Sequence, residues 1–265
     1  MRFIAGLFIF SALCSKIHSQ DELMTISFPA DRDYTLNNIS ISENLIETQQ
    51  FRATKFVIPA ICITYGLIAR FNETPVRRFD KYIGREVDEH IHRAYRMDDY
   101  LQYTPAMAVY GIDFLPGVQA KHNFRDRTLV MATSYLATLA LVQISKFQID
   151  ELRPNGRAHN SFPSGHTAVA FTGAHILFRE YNEASPWISV AGYAVATATG
   201  AMRVVNKAHW LNDVVTGAGV GILSAEIGYL MLPVWHRLFG LDDSSVLIMP
   251  SVSTQGAGAG MIYVF

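Results

Sequence analysis

Three short stretches of this chain carry residue types suited to holding and transferring a phosphoryl group. The first is Lys146 and, six residues later, Arg153-Pro154; the second is Pro163-Ser164-Gly165-His166. The third is Arg203, five residues, His209, three residues, Asp213. Together they gather three cations, two histidines, a serine and a carboxylate within one mostly apolar region. Unpaired charge is costly in such surroundings, so these groups need a physical reason to be there. A phosphate dianion held by cations and backbone N–H groups supplies one.

Each stretch has a plain structural reading as well. Leu129–Leu152 reads as a helix on which Lys146 and Arg153, seven residues apart, share a face, with Pro154 ending it at Arg153. Cations there also suit the C-terminal end of a helix dipole. Ser164 reads as the N-cap of a helix over Ser164–Tyr181. Its first turn would offer the N–H groups of Gly165, His166 and Thr167 to an anion, and glycine permits close approach. An ordinary capped helix would look the same. His209 and Asp213, at i and i+4, fall on one face of a helix over Lys207–Trp235. A carboxylate on one ring nitrogen fixes the tautomer and frees the other as a nucleophile, although such pairs also occur as surface contacts. Arg203 lies off that face and belongs at the end of the preceding helix, Trp187–Met202, with Asn206 capping the next.

The three stretches in this order and spacing resemble the type-2 phosphatidic acid phosphatase superfamily, which includes lipid phosphatases, class A acid phosphatases and vanadium haloperoxidases. Its pattern, Lys-x6-Arg-Pro, Pro-Ser-Gly-His and Ser-Arg-x5-His-x3-Asp, is matched except where Met202 stands in place of the third motif's serine. The resemblance implies an all-α fold, a six-helix bundle, reaching from about Phe56 to Trp235. It further implies that His209 is the nucleophile, Asp213 its carboxylate and His166 the general acid and base. Lys146, Arg153, Ser164, Gly165 and Arg203 would hold the phosphate. No cofactor is implied. Metal is not required either, and the cluster Glu86, Asp88, Glu89, His90 and His92 reads as a solvated helix face. The implied substrate is a phosphorylated lipid or a small phosphoester.

These residues need elements to position them. Seven helical segments are expected, at Phe56–Phe71, Asp80–Arg93, Tyr100–Val118, Leu129–Leu152, Ser164–Tyr181, Trp187–Met202 and Lys207–Trp235. The second is polar enough to lie along a surface, which leaves six for the bundle. A short β-hairpin is expected from Val246–Val252 and Met261–Phe265 around the turn-rich Ser253–Gly260. The parts are then a signal peptide over 1–19, a polar lead-in over 20–55, the helical domain over 56–236 and a tail over 237–265. The leader rests on Arg2 and the apolar run Phe3–Cys14, which is shorter than the roughly twenty residues needed to cross a bilayer.

The chain has 265 residues, a net charge of −1 and 50% hydrophobic residues, so no nucleic-acid partner is expected from gross electrostatics. With Cys14 inside the leader, cleavage would leave Cys62 without a disulfide partner. The apolar runs of Phe56–Ala69, Thr167–Phe178 and Trp187–Met202 fall below the usual spanning length, and Glu226 interrupts the last helix. Small residues in Gly192–Ala201 and Thr216–Ala225 nevertheless suit helix packing in membranes. Lys121, Arg125 and Arg127 favour a cytoplasmic loop, which would put the motifs on the other side. The expectation is a membrane-associated envelope enzyme with its site facing the periplasm; a soluble periplasmic enzyme is the alternative.

Overall fold

Helices of alternating direction bring all three charged stretches to one end of this molecule. The computed structural model describes residues 53–70, 74–91, 96–241, 246–253 and 256–263. The expected leader and most of the polar lead-in lie outside the described residues. A 3-10 turn, Ala53–Phe56, leads into α1 (Val57–Arg70). Then come α2 (Pro75–His90), α3 (Asp98–Leu101), α4 (Thr104–Gly111), α5 (Phe124–Gln148), α6 (Gly165–Tyr181), α7 (Pro186–Val205) and α8 (Leu211–Phe239). The backbone of the tail forms two antiparallel strands, β1 (Val246–Ser253) and β2 (Gly256–Tyr263).

The described residues thus hold eight α-helices rather than six plus one. The expected Tyr100–Val118 helix is broken into α3, α4 and a 3-10 turn, Ile112–Phe114. Pro105 sits in the first turn of α4 and has no N–H to bond back into the preceding turn. The expected Asp80–Arg93 helix starts earlier, because the Thr74 side chain accepts from the Arg77 N–H (3.1 Å) and Pro75 occupies the first turn. The last helix starts later than Lys207, which takes a left-handed conformation (φ 54°) incompatible with a continuing helix.

The α6 helix is the central leg, packed along α7, α8 and α4, while α1 and α5 close on α8. Two glycines permit the closest approach of one helix to the backbone of another. A Cβ at Gly217 would stand 2.5 Å from the Ser164 carbonyl, and one at Gly221 would stand 2.4 Å from the Ala168 carbonyl. The start of α6 is thereby seated directly on the backbone of α8. Gly221→Val should cost about 1–3 kcal/mol through overpacking. Thermal unfolding in detergent measures this, and an unchanged midpoint would show that the seam is not tight.

Four segments are long and apolar enough to cross a membrane: Ala53–Arg70, Phe124–Gln148, Pro186–Val205 and Leu211–Phe239. This corrects the expectation that Phe56–Ala69 and Trp187–Met202 fall short, whereas Gly165–Tyr181, which holds Thr167–Phe178, is not among the four. Their polar residues hid the length, yet six of the hydroxyls are satisfied within their own helices. Thr133, Thr138, Ser145, Thr199, Thr216 and Ser224 each donate a hydroxyl to the carbonyl four residues back. Glu226 does not interrupt α8 as a free charge, since Arg179 (2.6 Å) and His175 (2.7 Å) both bind its carboxylate. Large apolar side chains instead point outward, among them Leu136, Leu139, Ile144 and Trp187. Such a surface, apolar outside and hydroxyl-lined within, suits a lipid surround.

Candidate active site

The C-terminal ends of α5 and α7 and the N-terminal ends of α6 and α8 carry the charged residues, joined by two loops, 149–164 and 206–210. Lys146 lies in the last turn of α5 and donates to the Asn160 carbonyl at 2.6 Å. Arg153 is not on that helix. The helix stops at Gln148, and Arg153 stands in the loop, its Nε bonded to Asn160 Oδ1 at 3.0 Å. Asn160 therefore braces both cations. The main chain of this loop is pinned by the Arg153 N–H to Ala158 and the Ser161 N–H to Glu151.

Ser164 is the N-cap of α6, as its position in Pro-Ser-Gly-His implied, but it caps through its backbone. Its hydroxyl pairs with that of Thr167 at 2.9 Å, and its N–H donates to the Asp213 carbonyl at 3.0 Å. Gly165 and His166 open the helix beside it, and a Cβ at Gly165 would meet Val142 at an ordinary 3.6 Å. The His166 ring bonds Asp99 at 3.0 Å. Burial, then the Arg203 charge, lowers the His166 pKa, and Asp99 opposes them.

Arg203 ends up inside the last turn of α7, where Asp98 grips Nη1 at 2.5 Å. Asn206 closes α7 rather than opening the next helix, and its amide also donates to Asp98. His209 lies before α8, not on it, so the pairing with Asp213 arises from a turn and not from a helix face. Its backbone N–H bonds the Arg203 carbonyl. Nδ1 of His209 stands 3.6 Å from Asp213 Oδ2, too long for a hydrogen bond. The carboxylate instead takes the Ser161 hydroxyl (2.5 Å) and the Trp210 N–H (2.9 Å). Ser161 Oγ is 3.5 Å from His209 Nδ1, so the hydroxyl sits between acid and imidazole.

Electrostatics at His209 follow from this convergence. The residue is 2% exposed. Burial, then the charges of Arg203, Lys146 and Arg153, holds its pKa well below the usual histidine range, against a hydrogen bond with the Ser161 backbone. At neutral pH the ring is uncharged and keeps a lone pair. Arg153 is lowered as well, by burial and by Arg203. Lys146 and Arg153 make no ion pair with a described residue, and with Arg203, which Asp98 pairs, they gather around a neutral imidazole, an arrangement suited to receive an anion.

A second layer fixes the loop ends. Asp80 accepts the Asn212 N–H at 2.8 Å and pairs with Arg77, which also binds Glu151 (2.9 Å); Arg70 binds the same carboxylate (3.0 Å). Burial pushes the Asp80 carboxyl up to about 6, against the Asn212 bond and the Arg77 charge. Among the described residues no three potential ligands stand together as a metal site. In the polar α2 face, His90 bonds back to Glu86 and Asp88 binds Lys207.

Sequence reasoning missed Ser161, Asn160, Asp98 and Asp99. Nothing in their local spacing marks them, apart from two adjacent carboxylates at Asp98-Asp99 entering an otherwise apolar segment.

Residues 127–237 match the family model described as the PAP2 superfamily. A lipid A 1-phosphatase from Porphyromonas gingivalis is 42% identical over 135 residues, which is 51% of this chain and 30% of that protein. The chain therefore spans less than a third of that relative's length. Among solved structures, the first transmembrane PAP2 type phosphatidylglycerolphosphate phosphatase from Bacillus subtilis aligns with a TM-score of 0.50 at 17% identity. That alignment covers 68% of this chain and 96% of the other, and shows a shared fold. The crystal structure of Aquifex aeolicus LpxE aligns with a TM-score of 0.43 at 20% identity, over 56% of this chain and 93% of that one.

Proposed function

With residues 127–237 matching the PAP2 superfamily model, we propose that this chain is a metal-independent phosphatase acting on a phosphorylated envelope lipid through a phosphohistidine. One observation carries the proposal: His209, 2% exposed, lies where the chain segments bearing Lys146, Arg153 and Arg203 converge, with Asp213 Oδ2 3.6 Å from its Nδ1. The phosphoryl group of a monoester or diphosphate supplies the anion that Lys146 and Arg153 lack. Lys146, Arg153 and Arg203 meet its oxygens, together with the N–H groups at the Ser164–Gly165 start of α6.

The lone pair of His209 attacks phosphorus in line, a P–N bond forms, and the bond to the leaving oxygen breaks. His166 gives its proton to that oxygen. The imidazolium that develops at His209 is stabilised by Asp213, whose position Ser161 and the Trp210 N–H secure. Water then attacks the phosphohistidine, His166 takes a proton from it, and phosphate leaves with His209 restored. Asp99 orients the His166 ring throughout.

A lipid substrate is favoured by an apolar cavity of about 720 Å³ among α1, α6, α7 and α8. It reaches from Val204 and Leu211, next to the site in sequence, to Phe171 and Phe178. The name of the Porphyromonas gingivalis relative makes a phosphate ester of lipid A the first substrate to try. The periplasmic placement of the site rests on Lys121, Arg125 and Arg127, which lie at the opposite end of the bundle. Phosphate release from such a lipid in mixed micelles tests the proposal. Chelator should leave the rate nearly unchanged, and vanadate should inhibit as a mimic of five-coordinate phosphorus. Loss of activity in chelator, restored by a divalent ion, would overturn the metal-free scheme.

A further inference from the structure

A cavity of about 660 Å³ lies between α2 and the two site loops, lined by Arg78, Lys81, Arg85, Asp88, Lys207 and Trp210. The positions 78, 81, 85 and 88 form one stripe along α2. Gly84 lies next to Arg85, and a Cβ there would stand 2.6 Å from the Trp210 ring, so α2 rests directly on the loop that carries His209. Pro154, next to Arg153, completes the wall, and the Asn155 N–H donates to the Lys207 carbonyl at 3.1 Å, tying the loops together. The cavity therefore lies beside the phosphate site, walled in part by Pro154 and Trp210, the chain neighbours of Arg153 and His209.

Its charge is unbalanced. Asp88 binds Lys207 at 2.5 Å, and it is the sole carboxylate in the lining. The side chains of Arg78, Lys81 and Arg85 make no hydrogen bond or ion pair with a described residue. Like charges three and four residues apart on a helix repel, so the stripe is unfavourable unless an anion accompanies it. A cavity of this size accommodates a phosphoryl group together with part of a headgroup.

We propose that this cavity is a second anion subsite, which binds a phosphoryl group that is not hydrolysed while another occupies the catalytic cations. The proposal rests on the phosphatase reading above. Its phosphoryl group has two possible sources: a second phosphate on the same substrate molecule, or the headgroup of a neighbouring anionic lipid. Arg78 and Lys81 are exposed and lie outside the catalytic machinery, so Arg78→Gln/Lys81→Gln should fold as the parent does.

The test compares parent and double variant on a glycolipid carrying two phosphate monoesters and on its analogue carrying one, in zwitterionic detergent micelles. For the two-phosphate lipid the variant's KM should rise about tenfold with kcat unchanged, while the one-phosphate lipid is unaffected; this assigns the subsite to the substrate's own second phosphate. Adding phosphatidylglycerol to the micelles separates the other source. If it lowers the parent's KM for the one-phosphate lipid, and leaves the variant's unchanged, the subsite takes a neighbouring headgroup. Equal kinetics of parent and variant on both lipids, with and without phosphatidylglycerol, would overturn the proposal. So would a fall in kcat alone. Absence of turnover of either lipid by the parent would instead defeat the phosphatase reading. Equilibrium binding of inorganic pyrophosphate would still report on the subsite in that case: weakened binding in the variant supports it, and equal binding overturns it.

Discussion

His209→Ala is expected to abolish phosphate release while leaving the fold intact. The imidazole is acted on by the charges of Arg203, Lys146 and Arg153, and its depressed pKa keeps a lone pair available at neutral pH. Among the described residues no other nucleophile occupies an equivalent position: the Ser161 hydroxyl is engaged by Asp213, and the Ser164 hydroxyl by Thr167. Truncation leaves Asp213 its bonds to Ser161 and to the Trp210 N–H, so the start of α8 keeps its cap. The unfolding midpoint in detergent checks that the variant folds. A labelled phosphoenzyme, acid-labile as a phosphoramidate, should form in the parent and be absent from the variant. Substantial remaining turnover with a normal midpoint would remove His209 from the role of nucleophile.

Arg203→Ala is expected to lower kcat/KM on the order of a hundredfold or more, whereas Met202→Ser should change it by no more than about tenfold. The two positions are adjacent in sequence but unequal in physics. Arg203 contributes charge to the developing phosphorane, and hydrogen bonds to a charged group contribute about 1.5–3 kcal/mol. A serine at 202 would add a neutral hydrogen bond, about 0.5–1.5 kcal/mol net. Arg203→Ala also strands Asp98, which is 1% exposed and would keep only the Asn206 amide among the partners described above. Removing one partner of a buried pair destabilises by about 3–5 kcal/mol, so the rate is read beside a double variant, Arg203→Ala/Asp98→Ala. The double variant should recover stability and not rate. If Met202→Ser instead switched activity on from nothing, the natural chain would be a non-enzymatic scaffold that had lost a required hydroxyl.

The residue types and spacings of Lys146, Arg153, Ser164, Gly165, His166, Arg203, His209 and Asp213 were legible in the chain itself. Chemistry of this kind needs a particular set of side chains, and such a set in fixed order rarely arises otherwise. Helix starts with a local cause were legible too, as at Ser164. What the linear pattern misjudged was how these residues are carried. Arg153 left its helix, His209 fell before the next one, and Asn206 closed α7, because helix periodicity cannot report a chain reversal stabilised from elsewhere. Only the tertiary structure decided that Asp98 holds Arg203 across 105 residues, Asp99 holds His166 across 67, and Ser161 stands between Asp213 and His209 across 52 and 48. Contacts at such separations depend on which helix ends the packing brings together. That packing is set by close approaches such as Gly217 on Ser164 and Gly221 on Ala168, whose partners no local spacing names.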